Sequence, residues 1–192
     1  MRRFSIILIL VTVASLLIVG FVIFWVFNLE GKDTSFRITS PAFSNGTYIP
    51  DEFTCHGSDI NPELNILNTP NGTITLALIM DDPDAQDIPW VSRIWIHWVV
   101  WNIPSSTEVI PEGDLPEGAI QGLNSWSSND YGGPCPPAWR DHRYFFKVYA
   151  LDIELNLPAN STGKGSLLAA MEGHIIDQAV LMGRFAGDEV NT

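Results

Sequence analysis

A mainly β domain with few helices, a β-sandwich or a barrel-like β fold, is what this sequence predicts. Three observations carry the prediction. Short aromatic and β-branched runs recur between turn signals. Residues 104–141 hold much of the Gly and Pro and read as loop. Beyond the N-terminus, only residues 166–173 put apolar side chains (Leu167, Leu168 and Met171) at helical spacing. Short strands joined by long loops suit packed sheets.

The elements follow in order. Residues 4–27 carry no charge and are apolar apart from Ser5, Thr12 and Ser15. At about 1.5 Å per residue such a run crosses a bilayer as a helix. Arg2 and Arg3 precede it, which puts the N-terminus in the cytoplasm and the rest outside. Residues 1–27 are therefore expected to be a cytoplasmic tip and a transmembrane signal anchor. Residues 28–35 are a polar linker, and 36–192 the domain. The alternative is secretion after signal cleavage. Against it, the run exceeds the roughly 7–15 residues of a signal core, and no small-x-small site follows.

Within the domain, residues 36–40 alternate before Pro41, and Asn45-Gly46 and Asn71-Gly72 mark turns. Residues 73–80 read as a central strand running into Asp81-Asp82-Pro83-Asp84-Ala85. Residues 95–102 form an aromatic strand that Pro104 ends. If it alternates strictly, His97 shares a face with Trp95, Val99 and Trp101. Residues 144–151 make the next strand, 166–173 the helix, and 179–185 a closing strand. The segment 131–144, YGGPCPPAWRDHRY, has three prolines and two glycines in its first seven residues, so it starts as a stiff loop. It delivers His142 and Tyr144 to the start of a buried strand. Trp90, Trp95, Trp98, Trp101, Trp126 and Trp139 are core or wall candidates. His56 and His174 read as structural or exposed.

Net charge is −12, and without residues 1–30 it is −13. That argues against nucleic acid as a partner and against docking on anionic lipid. Scattered acids keep an external domain soluble. Asn45, Asn71 and Asn160 open glycosylation sequons in loops. Cys55 and Cys135 are the only cysteines. Outside the cell they are a candidate disulfide, and otherwise two buried thiols.

Three motifs occur in an order and spacing that resemble the phosphatidylethanolamine-binding, or Raf kinase inhibitor-like, proteins. They are Asp82-Pro83-Asp84-Ala85, then His97-Trp98, then Gly133-Pro134-x-Pro136-Pro137 with His142-Arg143-Tyr144. The FTCHG segment at 53–57 and residues 165–174 are similar to the bacterial and archaeal branch. The resemblance covers residues 36–186. It implies a large antiparallel sheet packed on a smaller one, with a pocket at one end of the large sheet. It also implies that Cys55 and Cys135 are close.

On that resemblance Asp82, His97, His142 and Tyr144 are ligand-site residues, and Pro134 and Trp95 line the pocket. Imidazole and phenol donors can converge on one oxyanion. The Gly132 and Gly133 amides are expected to add N–H donors, and Asp82 to orient a histidine. Asp84 serves either as a ligand contact or as a turn-holding acid. The expected ligand is a small anionic or phosphorylated group, bound without catalysis, cofactor or metal, and more tightly as pH falls through the histidine titration. A histidine–carboxylate metal triad and a Cys135–His142 nucleophile pair are the sharper alternatives. The rival from another class is a protein inhibitor of a protease or kinase acting through surface loops. Three features depart from the family pattern: Ala138-Trp139-Arg140-Asp141 follows the double proline, Phe185 stands where an aromatic hydroxyl is common, and the anchor is atypical.

Overall fold

The computed structural model describes residues 34–87 and 94–187. The expected transmembrane segment, most of the linker and Trp90 lie outside these residues. Among the described residues no helix is long and apolar enough to cross a membrane. The chain divides into Met1–Thr34 and Ser35–Thr192, and the fold described here is that of the second unit.

Two antiparallel sheets form it. The smaller joins β1 (Arg37–Thr39), β2 (Leu64–Leu67) and β5 (Val109–Ile110) in the order β1-β2-β5. The larger joins β3 (Thr75–Asp82), β4 (Trp95–Pro104), β6 (Ile120–Gln121), β7 (Asp141–Leu151) and β8 (Ile175–Ala186) in the order β6-β4-β3-β7-β8. Among the described residues one α-helix, α1 (Lys164–Met171), precedes β8. The four long strands fall where the apolar runs predicted them. Their ends differ: β7 begins at Asp141, so His142 and Tyr144 sit inside a strand and not on an incoming loop. β2, β5 and β6 were not anticipated.

Central β3 is buried along its whole length because both faces of the large sheet are covered. Alternation sends Leu76, Leu78 and Met80 toward the small sheet, where they meet Ile38, Leu64 and Ile66. Ala77 and Ile79 face the other way, into a second core with Trp101, Leu167 and Met171. Phe185 joins the inter-sheet core. The same period splits the two acids at the strand's end. Asp81 points to the α1 side, where Lys147 donates to both its oxygens at 2.8 and 2.9 Å and Lys164 also donates. Asp82 points to the inter-sheet side.

Cys55 and Cys135 are bonded, with Cα atoms 5.5 Å apart and 80 residues between them in sequence. Closing so long a loop constrains the unfolded chain. Replacing both cysteines by alanine is expected to cost about 2–5 kcal/mol, read as a lower denaturant midpoint. An unchanged midpoint would mean that the other contacts of this loop hold it unaided.

Candidate functional site

The site begins at the end of β3. Asp82 Oδ1 accepts the N–H of Asp84 at 2.8 Å and of Ala85 at 3.2 Å, which starts the 3-10 turn Asp84–Asp87. Its other oxygen, Oδ2, accepts Nδ1–H of His142 at 2.7 Å. Both side chains are buried. A carboxylate only accepts, so Nδ1 carries the proton and Nε2 is the ring nitrogen left for a ligand. Asp84 does a different task. Its Oδ2 takes the backbone N–H and Nε–H of Arg143, both at 2.9 Å, and its Oδ1 takes Nη2 at 2.7 Å. The hydrogen bonds from Arg143 hold its carboxyl below the usual carboxylate range. Asp84 thus ties the turn to the far face of β7, the structural alternative of the two considered.

His97 reaches the site through a β-bulge. Met80 pairs with Trp98 but Asp81 pairs with Ile96, so His97 is the extra residue on β4. His97 and Trp98 therefore face the same side. The strict alternation expected from sequence fails here: His97 keeps company with Trp95, while Val99 and Trp101 face the second core. The His97 ring stands edge-on to Trp126 at 5.2 Å and to Tyr144 at 5.1 Å between centroids. Its Nδ1–H donates to the Gly132 carbonyl at 2.7 Å, and Gly132 N–H returns a bond to the His97 carbonyl at 3.1 Å. Burial lowers its pKa, outweighing the opposing pull of the Gly132 carbonyl and of Asp82.

Tyr144 lies between the two histidines and is fully buried. Burial raises its pKa far above the ordinary phenol value, with the field of Asp82 adding to the effect, so it stays an O–H donor. Among the described residues its hydroxyl has no hydrogen-bond partner. A buried donor without a partner costs about 1–3 kcal/mol.

Residues 131–135 close the site, and the segment 53–59 holds them. Tyr131 Oη donates to the Phe53 carbonyl at 2.8 Å, Gly133 N–H to Asp59 Oδ1 at 2.7 Å, and Cys55 N–H to the Pro134 carbonyl at 3.2 Å. The disulfide adds a covalent tie. Gly133 allows this approach because a Cβ there would sit 2.5 Å from the Phe53 carbonyl oxygen. The expectation of free glycine amides is therefore corrected: Gly132 N–H serves His97 and Gly133 N–H serves Asp59.

These residues enclose a cavity of about 470 Å³. Of the sequence-predicted set, Asp82, Trp95, His97, Gly133, His142 and Tyr144 line it, as do both cysteines. Pro134 and Asp84 do not, since the first faces the 53–59 segment through its carbonyl and the second faces Arg143. Sequence reasoning missed Asp59, Asn124 and Asp130 on the wall. Asn124 Oδ1 takes the amides of Trp126 and Ser128, and its Nδ2 bonds Asp130, which shapes the loop carrying Trp126. A disulfide assumed from the outset would have pointed to Asp59, four residues from Cys55. Trp98 and Trp101 are core, whereas Trp139 is 68% exposed. His174 bonds Asp152 at the surface, and His56 is exposed with its ring edge-on to Phe185. Cys135, bonded to Cys55, has no thiol to act as a nucleophile.

Comparison with known proteins agrees with this architecture. The family described as phosphatidylethanolamine-binding protein matches residues 39–186. A UPF0098 protein of Methanothermobacter thermautotrophicus is 43% identical over 154 residues, covering 78% of this chain and 97% of its own. A phosphatidylethanolamine-binding protein homologue from Chlamydia trachomatis superposes with a TM-score of 0.75 at 39% identity, over 81% of this chain and all of that one. Escherichia coli YbcL, a member of the mammalian family by its crystal structure, gives 0.72 at 28% identity over 79% of this chain and 98% of that one. With two antiparallel sheets and one α-helix among the described residues, and a family match over most of its length, the chain belongs to the phosphatidylethanolamine-binding protein family.

Proposed function

We propose that this chain is a membrane-anchored, extracytoplasmic binding protein whose cavity takes a small phosphoryl group and performs no covalent chemistry. The observation that carries the reading is the buried, partnerless hydroxyl of Tyr144 on a cavity wall that also holds the Asp82–His142 pair. A phosphoryl oxygen accepts that hydroxyl proton and removes the cost of leaving it unmet. His142 Nε2, when it carries a proton, is a charge-assisted donor, and Asp82 balances the charge. Trp95 and Trp126 supply aromatic wall. Both histidines are committed through Nδ1 to fixed acceptors, an arrangement suited to holding a ligand in place.

The setting rests on other features. The uncharged run 4–27 behind Arg2 and Arg3 supports an anchor with the domain outside. The disulfide supports an oxidising compartment. Asn45, Asn71 and Asn160 are all exposed, as glycan acceptors must be, although Asn45 Oδ1 also accepts the Met182 amide.

Titration of the full chain in detergent micelles with inorganic phosphate and phosphorylethanolamine tests the reading, with tryptophan fluorescence as the signal. Saturable binding is expected. Tyr144→Phe and His142→Ala should each weaken it by about tenfold, the worth of one hydrogen bond. A folded chain that binds neither compound would overturn the reading and turn attention to inhibition through the surface loops.

The depressed pKa of His97 makes a separate prediction about stability. Its folded value lies below the unfolded value of about 6.5. The unfolded chain therefore takes up the proton first. The stability contributed by neutral His97 is complete above about pH 6.5 and is lost as pH falls through the folded value. The denaturant midpoint should drop between neutral and acidic pH, and drop less in His97→Phe. An equal drop in both proteins would contradict the assignment.

A further inference from the structure

The disulfide lies outside the chain it joins. Phe53 and Thr54 are buried on one side of it, and Gly133 and Pro134 on the other, yet Cys55 and Cys135 are both exposed. The same two residues line the cavity. Packing therefore does not shield the bridge, and a dissolved thiolate can reach it. Exposed disulfides are the readily reduced ones, and the ones put to regulatory use. The bond also sits where its loss is felt. The chain just before Cys135 carries the Gly132 carbonyl that holds the His97 ring at 2.7 Å. Without the bond, that stretch is tied to segment 53–59 by the Tyr131 hydroxyl, the Gly133 amide and the Pro134 carbonyl. These hydrogen bonds keep the two sulfurs near each other, and each sulfur has a stiff mount. Thr54 Oγ1 donates to the Asp51 carbonyl and takes the amide of His56, which fixes the turn around Cys55. Cys135 stands between Pro134 and Pro136, whose rings restrict the backbone. A broken bridge can therefore re-form.

We infer that Cys55–Cys135 is a site of thiol–disulfide exchange, and that a dithiol acting there turns a rigid cavity wall into a looser one that binds ligand more weakly. The ligand is the phosphoryl group proposed above, so the binding half of this inference rests on that reading. One thiolate of the dithiol attacks a cysteine sulfur, the Cys55–Cys135 bond breaks, and the other cysteine leaves as a thiolate. The second thiol then attacks the mixed disulfide. The reductant departs as a cyclic disulfide, and two electrons and two protons have passed to the protein. In the reduced chain the Gly132 carbonyl gains freedom, and the His97 ring that bonds it gains freedom too. Ligand binding must then order a wall that the bridge had already ordered, which costs affinity.

Treatment of the full chain in detergent micelles with dithiothreitol, without denaturant, tests this. Alkylation followed by mass spectrometry should find both cysteines modified. Hydrogen exchange at the Gly132 and Gly133 amides should quicken while exchange in β3 stays slow, which separates loosening from unfolding. Inorganic phosphate should bind about tenfold more weakly to the reduced chain, and reoxidation should restore the affinity. The double variant Cys55→Ser, Cys135→Ser should match the reduced chain and ignore dithiothreitol. If it does not fold, the reduced wild-type chain still decides. A bond that resists dithiothreitol, unchanged exchange at the two glycines, or equal saturable phosphate binding in both forms would overturn this inference and leave the phosphoryl reading standing. Quickened exchange with no phosphate binding by either form would overturn the phosphoryl reading and leave the exchange site standing.

Discussion

One carboxylate organises this end of the molecule. Asp82 ends a strand buried on both faces, where an unpaired charge would be very costly. It is tolerated because three donors converge on it: two amides of the following turn and the imidazole of His142. The two amides stop β3 and start the turn. The imidazole bond joins β3 to β7 at the cavity. Asp81, one residue earlier, meets the same cost on the opposite face with two lysines. A pair of consecutive acids thus neutralises one end of the sheet on both sides, with one side structural and the other opening on a cavity.

A second constraint is the docking of segment 53–59 on residues 131–135. Four ties act between them: the Tyr131 hydroxyl, the Gly133 amide, the Pro134 carbonyl and the disulfide. None of these groups needs to touch a ligand. Their effect passes through the Gly132 carbonyl to the His97 ring. The site is rigid on this side because distant stretches of chain are cross-linked immediately behind it, as preorganised sites require.

β3 and β4 were readable because each is a long apolar run, and burial on both faces makes such runs conspicuous. β7 and β8 show instead the alternation of a strand buried on one face over much of their length. β5 and β6 are two residues each, too short for any periodic signal. The polar site residues were legible as acids and histidines at strand ends, aided by a family resemblance. What could not be read is how they are held. The bulge at His97 breaks the period of two that sequence reasoning assumes. The Asp59 contact joins residues 74 apart in sequence. Free glycine amides were expected because Gly132 and Gly133 lack a Cβ, and that does not say which acceptors fold against them.

The bulge also separates inheritance of the fold from inheritance of the site. Met80 opposite Trp98 and Asp81 opposite Ile96 would be consecutive rungs of an ordinary ladder if His97 were absent. Removing that one codon would leave Trp98 and Val100 in the inter-sheet core and give the sheet a more regular strand. The histidine is the bulged residue of the ladder, held by Gly132 rather than by a rung opposite it. A lineage could therefore lose or gain this side of the cavity by a single in-frame length change, with little mark on the hydrophobic pattern by which relatives of the fold are recognised.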